Sequence, residues 1–186
     1  YSPCPCGSGK KLKFCCADLA AEMEKIHRKL EGDQPRAALR DVELLLAKQP
    51  DRASLLDLRA MLELAMEDIE GAEKTVSHML AKHPQSPSAW ANQAMLLAQK
   101  EKGQEAALAL QNALNLLDRE MPQRVLEALG ATGQALLVAG HVVAALAHLW
   151  LYSSISPDGD ARALEMIVRL NQMAGLPLML RERLQL

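Results

Sequence analysis

Small residues recur along this chain at a fixed distance. Ala38, Ala72 and Ala106 stand 34 residues apart, and one longer step of 39 leads to Ala145. After Ala38, Ala72 and Ala145 a proline follows at a distance of 12 (Pro50, Pro84, Pro157), and Asp118 takes that place after Ala106. A period of this length is one helix, one turn and a second helix. Such a unit buries its apolar face only against its neighbours, so the recurrence predicts a stack of helical hairpins.

Composition agrees with an all-α chain. Ala, Leu and Met are abundant, whereas the aromatics are two Trp, two Tyr and one Phe in 186 residues, which disfavours a β domain. An apolar content of 49% supplies a core without disulfides and argues against disorder. The formal net charge of −2 excludes a global basic field for nucleic acid or an anionic membrane. No run of about 18 apolar residues and no signal-like segment stands out, so a soluble protein of a reducing cytoplasm is expected.

The charge and the thiols are not spread evenly. Residues 1–16 contain Lys10, Lys11 and Lys13 and no acid, which makes a basic tip on an acidic body. All four cysteines, Cys4, Cys6, Cys15 and Cys16, lie in the same stretch, whereas a secreted scaffold distributes them to staple distant loops. The spacing C-x-C-x8-C-C brings four soft thiolates around one tetrahedral ion, with Zn2+ the leading candidate and iron the alternative. A full set of four ligands leaves no place for water or substrate, so the ion is expected to be structural. Gly7, Ser8 and Gly9 supply a turn that lets backbone N–H groups approach the sulfurs, and the lysines offset the residual charge. A pair of disulfides is the competing arrangement, which adjacent Cys15 and Cys16 disfavour.

Two resemblances follow from these residues. Pro3 to Cys16, with Cys4, Cys6, Ser8, Gly9, Cys15 and Cys16 in place, resembles the SEC-C motif, the small metal-binding tail of the bacterial export motor SecA that is also appended to other bacterial proteins. The resemblance implies a zinc-dependent interaction knob at residues 1–17, used in that family for contacts with an export chaperone and with the ribosome. Leu12 stands where the family commonly has an aromatic. Residues 18–186, through the period of 34, resemble tetratricopeptide repeats. That resemblance implies a solenoid of about four hairpins closed by C-terminal capping helices, near 160–174 and 178–184.

In the unit 126–159, Gly133 takes the small position of the first helix, Gly140 the turn, and Ala145 and Leu149 the packing face of the second. In the unit 87–120, Trp90 is expected to fill the gap between hairpins. The first unit, 18–52, reads as degenerate, with the turn Gly32-Asp33-Gln34-Pro35 a few residues early. Five extra residues near Glu120 to Gln123 are expected to lengthen the connection into the fourth hairpin.

The chemistry available to such a stack is recognition. Met61 and Met95 share one register of consecutive first helices, and with Asp57, Gln99 and Gln134 they form the expected lining of a peptide-binding groove. Core filling explains the methionines equally well. Asp57 and Ala91 stand where repeats that clamp an acidic C-terminal tail carry lysine, so such a tail is not the expected ligand. His27, His78, His83, His141 and His148 come with no H-E-x-x-H, G-x-S-x-G or P-loop and are read as structural. The expectation is a non-catalytic bacterial adaptor that takes a protein or peptide in its groove, with no membrane and no small-molecule substrate. The alternatives are an N-terminal recruitment region of a larger enzyme, such as a transferase, and a ribosome or nucleic-acid binder acting through the basic tip.

Overall fold

A computed structural model describes residues 11–118, 121–156, 164, 165, 167 and 168, with Leu12 and Cys15 given by their backbone. The described residues are helical and contain no strand. A short helix α1 (Leu12–Cys15) and a single 3-10 turn (Ala17–Leu19) lead into α2 (Ala20–Glu31) and α3 (Pro35–Leu46). Then follow α4 (Ala53–Ala65), α5 (Ile69–Lys82), α6 (Pro87–Gln99), α7 (Gly103–Asn115), α8 (Gln123–Val138) and α9 (Val142–Ile155). Consecutive helices pair as α2/α3, α4/α5, α6/α7 and α8/α9, and each hairpin packs on the next.

The recurrence in the sequence is the spacing of these hairpins. Their second helices begin at Pro35, Ile69, Gly103 and Val142, in steps of 34, 34 and 39 residues. Ala38, Ala72, Ala106 and Ala145 each stand in the first turn of one of them and are completely buried. A methyl group at this point lets the second helix approach its neighbours closely.

All four hairpins close in the same way. Asp33, Glu67, Glu101 and Gly140 have φ of 52°, 60°, 59° and 81°, the left-handed conformation that ends a helix. The next residue in each case, Gln34, Asp68, Lys102 or His141, donates its N–H to a carbonyl five residues back, at 2.8–2.9 Å. This is the Schellman closure, which satisfies carbonyls that the helix end leaves without partners. The turn of the first unit, expected to come early, is therefore in register, since Asp33 precedes Glu67 by 34 residues. Gly32 misled the sequence reading because it is the cap residue and not the left-handed one.

The connection into the fourth hairpin is longer, as expected: seven residues separate α7 from α8, against four between α5 and α6. The first helix is longer too, with 16 residues in the fourth hairpin against 13 in the third, and α7 is one residue shorter than α5, which together make the step of 39. Gly133 lies where α8 meets α9, and a Cβ there would stand 3.0 Å from the Leu149 side chain. Trp90 packs half-buried on the core shared by α6, α7 and α8, and its indole N–H donates to the Pro84 carbonyl at 2.9 Å, which ties the α5–α6 connection to the hairpin. The expected C-terminal cap near 160–174 is represented by Leu164, Glu165, Ile167 and Val168, which are helical. Ile167 is buried against Leu146 and Leu149. The remaining residues of that cap, and the segment 178–184, lie outside the described residues.

Glutamate is poorly suited to the left-handed conformation, which costs a side-chain-bearing residue about 1–2 kcal/mol relative to glycine. Glu67→Gly and Glu101→Gly are both at exposed positions and should each stabilise the chain by about 1 kcal/mol, seen as a rise of about 2–4 °C in the midpoint of thermal unfolding. Gly140→Ala should act in the opposite direction. An unchanged midpoint in both glycine variants would refute the account of the turns.

Candidate functional site

The cysteine tip joins the helical body through Cys16. Its sulfur lies 3.7 Å from the Ser54 hydroxyl, across a sequence distance of 38 residues, and Cys16 and Ser54 are 1% and 2% exposed. Asp18, two residues on, pairs with Arg52 at 2.8 Å, and Leu19 enters the core with Leu55, Leu56 and Leu58. The chain is therefore pinned against the start of α4 within three residues of the last cysteine. Burial works against the Arg52 charge, while Cys16 and Asp18 hold it, and the balance raises the guanidinium above its ordinary value.

Of the four expected metal ligands, Cys4 and Cys6 lie outside the described residues, and Cys15 is placed by its backbone on α1. No group of three metal-ligating side chains occurs among the described residues. The surroundings of Cys16 suit a ligand thiolate, because the Ser54 hydroxyl that accepts from the thiol can turn to donate once the proton is lost, and the Arg52 cation pairs with Asp18 two residues on. Lys11, Lys13 and Phe14 are exposed, with Phe14 at 72% and the Lys13 ammonium 4.6 Å from its ring centre. Lys10 lies outside the described residues.

The residues expected to line a groove do not share one environment. Asp57 on α4 is 14% exposed at its side chain and accepts a hydrogen bond of 2.6 Å from Asn92 on α6. Arg124 on α8 stands 3.6 Å from the same carboxylate and donates to Glu127 at 2.6 Å. Met95 joins this row, with its sulfur 3.7 Å from an Arg124 nitrogen. A polar line thus runs across the first helices of the second, third and fourth hairpins. Burial raises the Asp57 carboxyl above its usual 3.8, against the pull of Arg124 and Asn92.

The other expected lining residues stand on the same three helices, Met61 one turn after Asp57 on α4, Gln99 one turn after Met95 on α6, and Gln134 on α8. Met61 packs against the core of the first two hairpins, Gln99 donates to the Leu64 carbonyl at 2.9 Å at the end of α4, and Gln134 is exposed on α8. Asn92, Arg124 and Glu127 were missed by the sequence reading. One signal for Arg124 was present: a cation in the first turn of a helix opposes the helix dipole and calls for a specific anionic partner.

The histidines that the structure ties down serve local structure. His78 bonds the Asp51 carboxylate at 2.8 Å, His83 bonds the Asp51 carbonyl at 2.6 Å, and His148 bonds the Ala144 carbonyl at 2.7 Å. Lys82 also pairs with Asp51 and, first among its neighbours, holds that carboxyl below the ordinary carboxylate range. No helix among the described residues is long and apolar enough to cross a membrane.

Comparison with curated proteins gives no match. Residues 2–18 match the SEC-C motif, a metal-binding motif, and the matched stretch ends on Asp18, the residue that pairs with Arg52 of the helical body.

Proposed function

We propose that the chain is a non-catalytic bacterial adaptor of the cytoplasm. In this reading a structural Zn2+ held by Cys4, Cys6, Cys15 and Cys16 forms the tip, and a tetratricopeptide-like stack forms the body. A protein or peptide segment binds along the first helices of the hairpins. The supporting observation is the line Asp57, Asn92 and Arg124, which crosses the first helices of three consecutive hairpins. The thioether of Met95 beside them offers adaptable apolar contact.

The tip supplies a second contact. Exposed Phe14 with Lys13 over its ring, next to Lys11, suits an anionic or protein surface such as an export chaperone or the ribosome. Two modest contacts on one chain raise overall avidity through effective concentration.

The test uses affinity capture from a bacterial lysate with three forms of the chain. Gln134→Arg with Val138→Glu alters exposed positions of α8 that share a face with Arg124, so folding should be preserved. The groove reading expects the captured partner to be lost with this variant. It also expects the partner to be held, with little dependence on salt, when Lys10, Lys11 and Lys13 become Ala. The reverse pattern would assign recognition to the tip and reject the groove.

A further inference from the structure

The metal reading places a charged sulfur where water does not reach. Four thiolates on one divalent ion leave a net charge of −2, and each ligand sulfur keeps part of it. Sulfurs at a surface knob share that charge with solvent and backbone N–H groups. Cys16 is 1% exposed and cannot do so, which means that its charge must be met by protein groups.

Two such groups are in position. The Ser54 hydroxyl, 3.7 Å from the sulfur, accepts from the neutral thiol, and rotation about its C–O bond lets it donate once the sulfur has lost its proton. The Arg52 guanidinium stands at the same end of α4 and pairs with Asp18, two residues after Cys16, at 2.8 Å. Both belong to the start of α4 and not to the tip, and the first turn of a helix favours negative charge.

Resting on the four-cysteine metal reading, we propose that Ser54 and Arg52 are the outer hydrogen-bond donors to Cys16 when it ligates the metal, so that metal binding at the tip and folding of the first two hairpins are coupled. The motif is then not an independent knob on a tether. Residues 1–18 alone lack the donors that Cys16 uses, and the helical body completes the metal site. The coupling is reciprocal: a body that stabilises the metal-bound thiolate is itself stabilised by the metal, through the difference in affinity between its folded and unfolded forms.

The test compares the full chain with Ser54→Ala, Arg52→Ala, their double variant and Arg52→Lys. Zinc stoichiometry is measured on each. Affinity is read by competition with a chromogenic chelator, and the thermal midpoint of the helical signal is followed with zinc and after its removal. The expected results are one zinc per chain throughout and an affinity about tenfold lower in Ser54→Ala, the scale at which outer hydrogen bonds act on metal sites. A further loss is expected in the double variant, with partial recovery in Arg52→Lys. Zinc removal should lower the midpoint of the unsubstituted chain and lower it less in the double variant.

In the cobalt-substituted protein, loss of the Ser54 bond should move the sulfur-to-cobalt charge-transfer band to lower energy, a change that a packing defect alone does not produce. One zinc per chain with unaltered affinity, band and midpoint shift in the double variant would overturn the coupling and leave the metal reading intact. No zinc on any form would overturn the metal reading, and the coupling with it.

Discussion

Gly103→Ala should destabilise the protein by about 2 kcal/mol and Gly103→Val by about 3 kcal/mol, although glycine is normally the weaker residue in a helix. Gly103 is the first residue of α7, and a Cβ at that position would stand 2.8 Å from both the Ala135 carbonyl oxygen and the Leu136 nitrogen of α8. These atoms belong to a helix backbone and cannot rotate away, so one helix must move off the other. In an exposed first turn the same Gly→Ala change would stabilise by up to about 1 kcal/mol, which makes the sign of the result decisive. Gly133→Ala is the comparison, because there the obstacle at 3.0 Å is the Leu149 side chain, which can shift at lower cost. Urea unfolding of the three variants checks the ranking. A stabilising or neutral Gly103→Ala would mean that the third and fourth hairpins do not meet as described.

The case of Gly103 shows what the sequence does and does not carry. Ala38, Ala72, Ala106 and Ala145 were legible as the pulse of the stack because each repeats the same demand for a small side chain, and all four are completely buried. Gly103 meets a demand that arises once, where α7 touches the backbone of α8, and a single glycine has no period to announce it. The turns were half legible. Gly140 marks the left-handed position of the last hairpin, but Glu67 and Glu101 hold the same position in the middle two, against their own preference. Hydrogen bonding of the closure and packing of the hairpin override that local preference there.

The contact between the cysteine tip and the body was not legible at all. Cys16 pairs with Ser54 across 38 residues, and nothing in C-x-C-x8-C-C says which of its sulfurs faces the body. The polar line was partly legible. A strict step of 34 from Asp57 reaches Ala91, whereas its partner is Asn92, one residue further along α6. The extension of α8 then carries Arg124 into reach from a position that no repeat template assigns.

Arg124 is the residue on that line with the largest expected effect. It is 9% exposed and serves Asp57 at 3.6 Å and Glu127 at 2.6 Å. Arg124→Met keeps much of the volume and removes the cation, leaving Asp57 with the Asn92 amide as its remaining donor on the line. Removing one partner of a fully buried ion pair costs about 3–5 kcal/mol, and the partial exposure of Asp57 and Glu127 brings the expected loss to about 2–3 kcal/mol at neutral pH.

The pH dependence follows from the direction of the Asp57 shift. The folded protein holds this proton more tightly than the unfolded chain, whose carboxyl titrates near 3.8, so the contribution of Asp57 to stability is greatest below that value and falls as pH rises through the raised folded value. Without Arg124 the folded value rises further. The loss caused by Arg124→Met should therefore be smaller at about pH 4 than at neutral pH. The Asp57 contribution is isolated by Asp57→Asn: combined with Arg124→Met it should recover part of the stability at neutral pH and remove most of the pH dependence. Urea titrations of the single and double variants at both pH values measure each term. An Arg124→Met loss that is equal at the two pH values, and unaffected by Asp57→Asn, would mean that Arg124 supports the stack by packing alone and that its charge remains available to a ligand.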